Sequence, residues 1–108
     1  MKYGLDDTVI DRMCAVLSRY PQVGQAVLYG SRAKGDYRNG SDIDLTLTGG
    51  PALTLEILYR ISDDLDDLML PYTTDLSLYR MISDSGLLEH IQRVGKVFYE
   101  REEMRCPE

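Results

Sequence analysis

Residues 42–48 read DIDLTLT, an unbroken alternation of polar and apolar side chains. Strand side chains point to opposite faces with a period of two, a pattern no helical register reproduces. The stretch is therefore a strand, with Ile43, Leu45 and Leu47 on one face and Asp42, Asp44, Thr46 and Thr48 on the other. Gly49-Gly50-Pro51 stops it. Two carboxylates thus stand side by side on the polar face of a strand whose other face is apolar.

Upstream, Val23 to Tyr29 is a second short strand, mostly apolar, and it closes on Gly30-Ser31. The segment GSRAKG is small, basic and turn-prone, and one helical turn is expected to start near Ser31. Backbone N–H groups at such a turn converge on anions, and Arg32 and Lys34 stand beside it. Asp36 to Ser41 is a polar loop with Asn39-Gly40 as its turn signal. Carboxylate oxygens suit a magnesium ion that also holds substrate phosphates. The whole stretch describes a nucleoside triphosphate held between a glycine turn and a metal-binding acid pair.

A third acid comes later. Thr73 to Tyr79 reads as a strand with Leu76 and Leu78 on one face and Thr73, Asp75 and Ser77 on the other. Neighbouring strands lie about 4.8 Å apart, and the two metals of a phosphoryl-transfer site lie about 3.5–4 Å apart. If the two strands are neighbours, Asp42, Asp44 and Asp75 can share a two-metal cluster. Such a cluster orients a triphosphate, activates an acceptor hydroxyl and stabilises in-line displacement at the α-phosphorus. Asp75 is then placed to help deprotonate the nucleophile.

Three helices complete the pattern. The first is predicted over Asp6 to Tyr20, with Val9, Met13, Val16, Leu17 and Tyr20 as its apolar stripe and Pro21 as its stop. The second covers Leu53 to Met69, with Leu55, Leu58, Ile61, Leu65 and Leu68 as the buried stripe. Asp63, Asp64, Asp66 and Asp67 crowd its C-terminal half, as a solvated face or as a patch for a basic partner. The third runs from Asp84 to Val94 on Leu87, Leu88 and Ile91, and Gly95 ends it. His90 on that helix reads as a half-buried structural residue, Cys14 and Tyr29 as core, and Tyr37 as a loop aromatic that could stack on a base. Lys96 to Tyr99 is a last strand, and the tail from Glu100 to Glu108 is expected to fray.

Composition narrows the function. At 108 residues the chain is expected to be a single domain, 1–108. A net charge of −6 argues against backbone-driven nucleic-acid binding, which needs clustered Lys and Arg. No apolar run reaches membrane-spanning length, and MKYGLDDTVID lacks the features of a signal peptide. Cys14 and Cys106 lie far apart with no CxxC, which disfavours a zinc site and fits a reducing, cytoplasmic setting.

Gly30-Ser31, ten residues, then Asp42-Ile43-Asp44 resembles the signature of the DNA polymerase β-type nucleotidyltransferase superfamily. GSRAKG followed by SDIDL is similar to its minimal branch, the MNT-domain proteins, and the closing LLEHIQRVGKVFYE matches their usual ending. The resemblance implies an α+β fold: a small mixed sheet of about four strands with helices packed on one face. It assigns Gly30 and Ser31 to the nucleotide phosphates, with Arg32 and Lys34 beside them, and Asp42, Asp44 and Asp75 to catalysis and metal binding. The family often has arginine where Lys34 stands. The implied cofactor is Mg2+, as two ions, or Mn2+, with ATP as substrate. Minimal nucleotidyltransferases commonly pair with HEPN-domain RNase toxins as antitoxins, so the implied partner is a HEPN toxin in a hetero-oligomer. The implied reaction moves AMP from ATP to a tyrosine hydroxyl of that toxin. Two other readings stay open: an antitoxin that acts by binding alone, and a nucleotidyltransferase for a small hydroxyl compound.

Overall fold

The computed structural model describes residues 2–101. In chain order it contains α1 (Asp7–Ser18), β1 (Val23–Tyr29), α2 (Ser31–Lys34), β2 (Ile43–Gly49), α3 (Leu55–Asp66) and β3 (Thr74–Leu78). A 3-10 turn at Tyr79–Met81, α4 (Ser85–Val94) and β4 (Lys96–Glu100) follow. The strands form one sheet in the order β3-β2-β1-β4. β1 is antiparallel to both β2 and β4, and β2 is parallel to β3. The architecture is α+β with a mixed four-stranded sheet, as the sequence implied. Parallel neighbours cannot be joined by a tight hairpin; α3 supplies the crossover between β2 and β3.

Alternation along β2 sorts the two faces. Ile43, Leu45 and Leu47 are fully or almost fully buried, together with Ala26 and Leu28 of β1. They share one core with Met13, Val16 and Leu17 of α1 and Leu58, Ile61 and Leu65 of α3. α1 and α3 therefore cover this face. The other face carries Tyr29, Asp44, Thr46 and Asp75, and α4 lies against it, so the helices do not all pack on one face as expected: the His90 and Tyr29 rings meet edge to face, 6.2 Å apart. Ile91 of α4 is buried outside the main core. Two helix starts are capped by their own sequence. Thr54 accepts from the N–H of Ile57 at 3.4 Å, and Asp84 accepts from Gly86 at 2.9 Å and Leu87 at 3.4 Å.

The structure corrects several details. Leu55 is not in the buried stripe of α3; it sits in the first turn and is 40% exposed. Of the acids on α3, Asp63, Asp66 and Asp67 are exposed, while Asp64 accepts a hydrogen bond from the Tyr20 hydroxyl. Gly95 ends α4 with φ −60°, so it is not there for a left-handed turn. A Cβ at Gly95 would collide with the Ile91 carbonyl oxygen and stand 2.8 Å from Val27 Cγ1, so close packing on β1 demands the glycine. The expected fraying does not start at Glu100, which belongs to β4. Arg101 is buried: its guanidinium donates to the carbonyls of Ser18, Tyr20 and Val23, and its N–H to Gly24. The remainder of the tail, with Cys106, lies outside the described residues. Cys14 is half-buried, packs against the core and points its thiol at the Phe98 carbonyl, 3.6 Å away.

Candidate active site

Three strands set one row of side chains across the sheet. Tyr29 pairs with Asp44, and Asp44 pairs with Asp75. Directly paired residues share a face, so Asp75 stands beside Asp44 and is not turned away from it. Asp42 lies one residue ahead of β2 and is exposed. Burial raises the pKa of Asp44 above its ordinary value, and the charges of Asp75 and Asp42 raise it further; His90 pulls it down. Asp44 is therefore within electrostatic reach of both other acids. Among the described residues, no three His, Cys, Asp or Glu side chains form a finished ligand set for a metal. The expected gathering of Asp42 with Asp44 and Asp75 into one ligand set is therefore not seen among the described residues; what the sheet brings together is the pair Asp44 and Asp75, in register across β2 and β3. Magnesium keeps several waters and takes one or two carboxylates plus substrate phosphates, so an open, hard-oxygen pair suits it.

Gly30 packs against Asp44. Its φ of +77° lies where side chains are rarely tolerated, and a Cβ there would collide with Asp44 Oδ2. The turn of α2 follows at once, starting at Ser31 as expected. Its first N–H groups have no preceding helical carbonyls to bond. The N–H of Gly30 itself donates to His90 Nε2 at 3.1 Å, so Gly30 contributes shape and close approach more than a donor.

The two cations diverge. Arg32 is 3% exposed. Its Nε and one terminal nitrogen donate to the Ser41 carbonyl at 3.1 and 2.9 Å, and the other donates to the Tyr3 carbonyl at 2.8 Å. The guanidinium also lies near the rings of Tyr37 and Tyr72, 5.2 and 4.9 Å from their centroids. Arg32 is thus a scaffolding residue, tying the N-terminal turn and the loop before β2 together. Tyr37 is correspondingly engaged with Arg32. Lys34 is exposed and pairs with Asp36 at 3.4 Å, leaving it at the surface of the turn.

Below the acids lies a hydroxyl layer. Ser77 donates to Thr46 Oγ1 at 2.9 Å, and Thr46 is fully buried. Tyr29 is also buried; burial and the charges of Asp44 and Asp75 raise its pKa, and a hydrogen bond with Ser77 lowers it. Sequence reading missed the place of His90 in this site. A lone histidine on an amphipathic helix gives no sign of a partner 60 residues earlier.

The family model described as polymerase beta, nucleotidyltransferase matches residues 12–104. No curated protein sequence matches the chain. Among solved structures, one similar chain comes from a toxin–antitoxin with AMP-PNP, at 19% identity and a TM-score of 0.67 over 92% of this chain and 77% of that one. Another comes from a tri-AMPylated Shewanella oneidensis HEPN toxin in complex with an MNT antitoxin, at 15% identity, TM-score 0.65, and 92% and 76% coverage. A third, assigned as a minimal nucleotidyltransferase, is 28% identical with a TM-score of 0.65, over 89% of this chain and 95% of its own. The first two likenesses establish the fold. With the family model spanning most of the sequence, this chain belongs to the polymerase beta nucleotidyltransferase family and is a nucleotidyltransferase.

Proposed function

We propose that this chain transfers AMP from ATP to a tyrosine hydroxyl of a HEPN-domain RNase toxin and so acts as its antitoxin, in the cytoplasm, as a single domain. The observation that carries the reading is the seating of Asp44, with Gly30 packed against its carboxylate and Asp75 beside it in register. Similarity to chains from toxin–antitoxin complexes, one with AMP-PNP and one with an AMPylated HEPN toxin, supports the substrate and the partner.

Each residue then has a role. The turn at Gly30 and Ser31 seats the triphosphate, with N–H groups of the first helical turn directed at phosphate oxygens. Lys34, exposed at the rim, adds positive charge as a point cation. Asp42, Asp44 and Asp75 would hold Mg2+, which when bound neutralises the triphosphate and acidifies the acceptor hydroxyl. The acceptor oxygen bonds to the α-phosphorus, the bond to the pyrophosphate oxygen breaks, and Asp75 takes the hydroxyl proton. Positioning and charge complementarity provide most of the rate. Asp75 itself is exposed, leaving room for an acceptor presented by another protein.

The test is incubation of the chain with α-labelled ATP, magnesium and the protein encoded beside it. Label on that protein, absent with Asp44→Ala, supports the reading. RNase inhibition without label, unchanged in the variant, supports an antitoxin that acts by binding. Label only on an added small hydroxyl compound supports a small-molecule transferase.

A further inference from the structure

The proposed function accounts for the acids and the glycine turn but leaves the link from α4 to that turn unexplained. Gly30 has φ +77° and ψ −158°, a conformation that side-chain-bearing residues seldom adopt, and it follows Tyr29, the last paired residue of β1. A peptide of this kind swivels easily unless it is held. Here it is held from two sides. The carboxylate of Asp44 occupies the space beside its Cα, and Nε2 of His90 accepts its N–H at 3.1 Å. The His90 ring is itself braced edge to face on Tyr29, at 6.2 Å and 81°. Its helix is anchored by the Asp84 cap and by buried Ile91. The acceptor at Nε2 places the imidazole hydrogen on Nδ1.

We infer that His90 is the positioning residue of the nucleotide turn, fixing the Tyr29–Gly30 peptide so that the N–H groups after Gly30 face the triphosphate. This rests on the reading of the turn as a nucleotide site. It also explains why Gly30 does not offer its own N–H to phosphate: the histidine holds it.

Two variants separate this role from mere packing. His90→Leu keeps bulk and removes the acceptor; His90→Gln keeps an acceptor oxygen at similar reach. The expected result for His90→Leu is an upfield shift and faster solvent exchange of the Gly30 amide proton, with affinity for ATP in magnesium falling about tenfold, as loss of a hydrogen bond at a preorganised site would give. His90→Gln restores most of both. A Gly30 amide and an ATP affinity unchanged in His90→Leu overturn the assignment, as does a glutamine variant no better than leucine at equal thermal stability. If the native chain binds ATP but labels no acceptor, the transfer reading fails and the role of His90 stands. If the native chain does not bind ATP, both fail together.

Discussion

The carboxylate of Asp44 lies against the Cα of Gly30, in the space where a side chain at residue 30 would begin. Glycine is therefore required twice at this position, by its φ of +77° and by the approach of an acid it must not displace. Gly30→Ala should lose about 1–3 kcal/mol from the backbone conformation alone, seen as a lower denaturation midpoint. Displacement of Asp44 should also reduce AMP transfer about a hundredfold or more. A variant with native turnover would show that the turn has no catalytic part.

Asp44 carries a raised pKa from burial and from the charges of Asp75 and Asp42. A carboxyl whose folded pKa exceeds its unfolded value favours the folded state while protonated, and that contribution disappears as pH rises through the folded pKa. Charged Asp44 is thus a cost at neutral pH in the metal-free protein. Asp44→Asn should melt higher than the native chain near pH 7, and the difference should shrink as pH falls through the folded pKa of Asp44. Magnesium with ATP should raise the native melting temperature and leave that of Asp44→Asn unchanged. Thermal melts across pH, with and without magnesium and ATP, check both.

Arg32 donates to two backbone carbonyls from a site only 3% exposed. Lysine cannot reproduce a forked donor of this shape. Arg32→Lys should cost about 2 kcal/mol or more through the lost charged hydrogen bonds, a fall in Tm of about 10 °C for a domain of this size. By contrast, Lys34→Ala should leave stability within about 0.5 kcal/mol and act, if at all, on the KM for ATP.

Two leucines read alike in the sequence and should behave differently. Leu45 is fully buried at the centre of the sheet, and Leu55 is 40% exposed at the start of α3. Leu45→Ala should lose about 2–5 kcal/mol, whereas Leu55→Ala should lose about 1 kcal/mol or less. Urea denaturation of the two variants side by side gives the comparison.

Local alternation was enough to read β2 and β3. A period of two over residues 42–48 has one structural meaning, and by itself it puts Asp42, Asp44 and Thr46 on the face opposite Ile43 and Leu45. Glycine at residue 30 and the short turn after it were legible for the same local reason. What needed the tertiary structure was everything that depends on contact between distant segments. The α3 crossover makes β2 and β3 parallel neighbours and so sets Asp75 beside Asp44. Arg32 looked like a phosphate ligand because basic residues beside a glycine turn often are; carbonyls of Ser41 and Tyr3, brought in by the fold, draw it inward instead. His90 and Gly30 are 60 residues apart, and no sequence period joins an imidazole on one helix to a peptide at the end of a strand. Periodicity reports which face a side chain occupies; its partner across that face is decided by how the chain closes on itself.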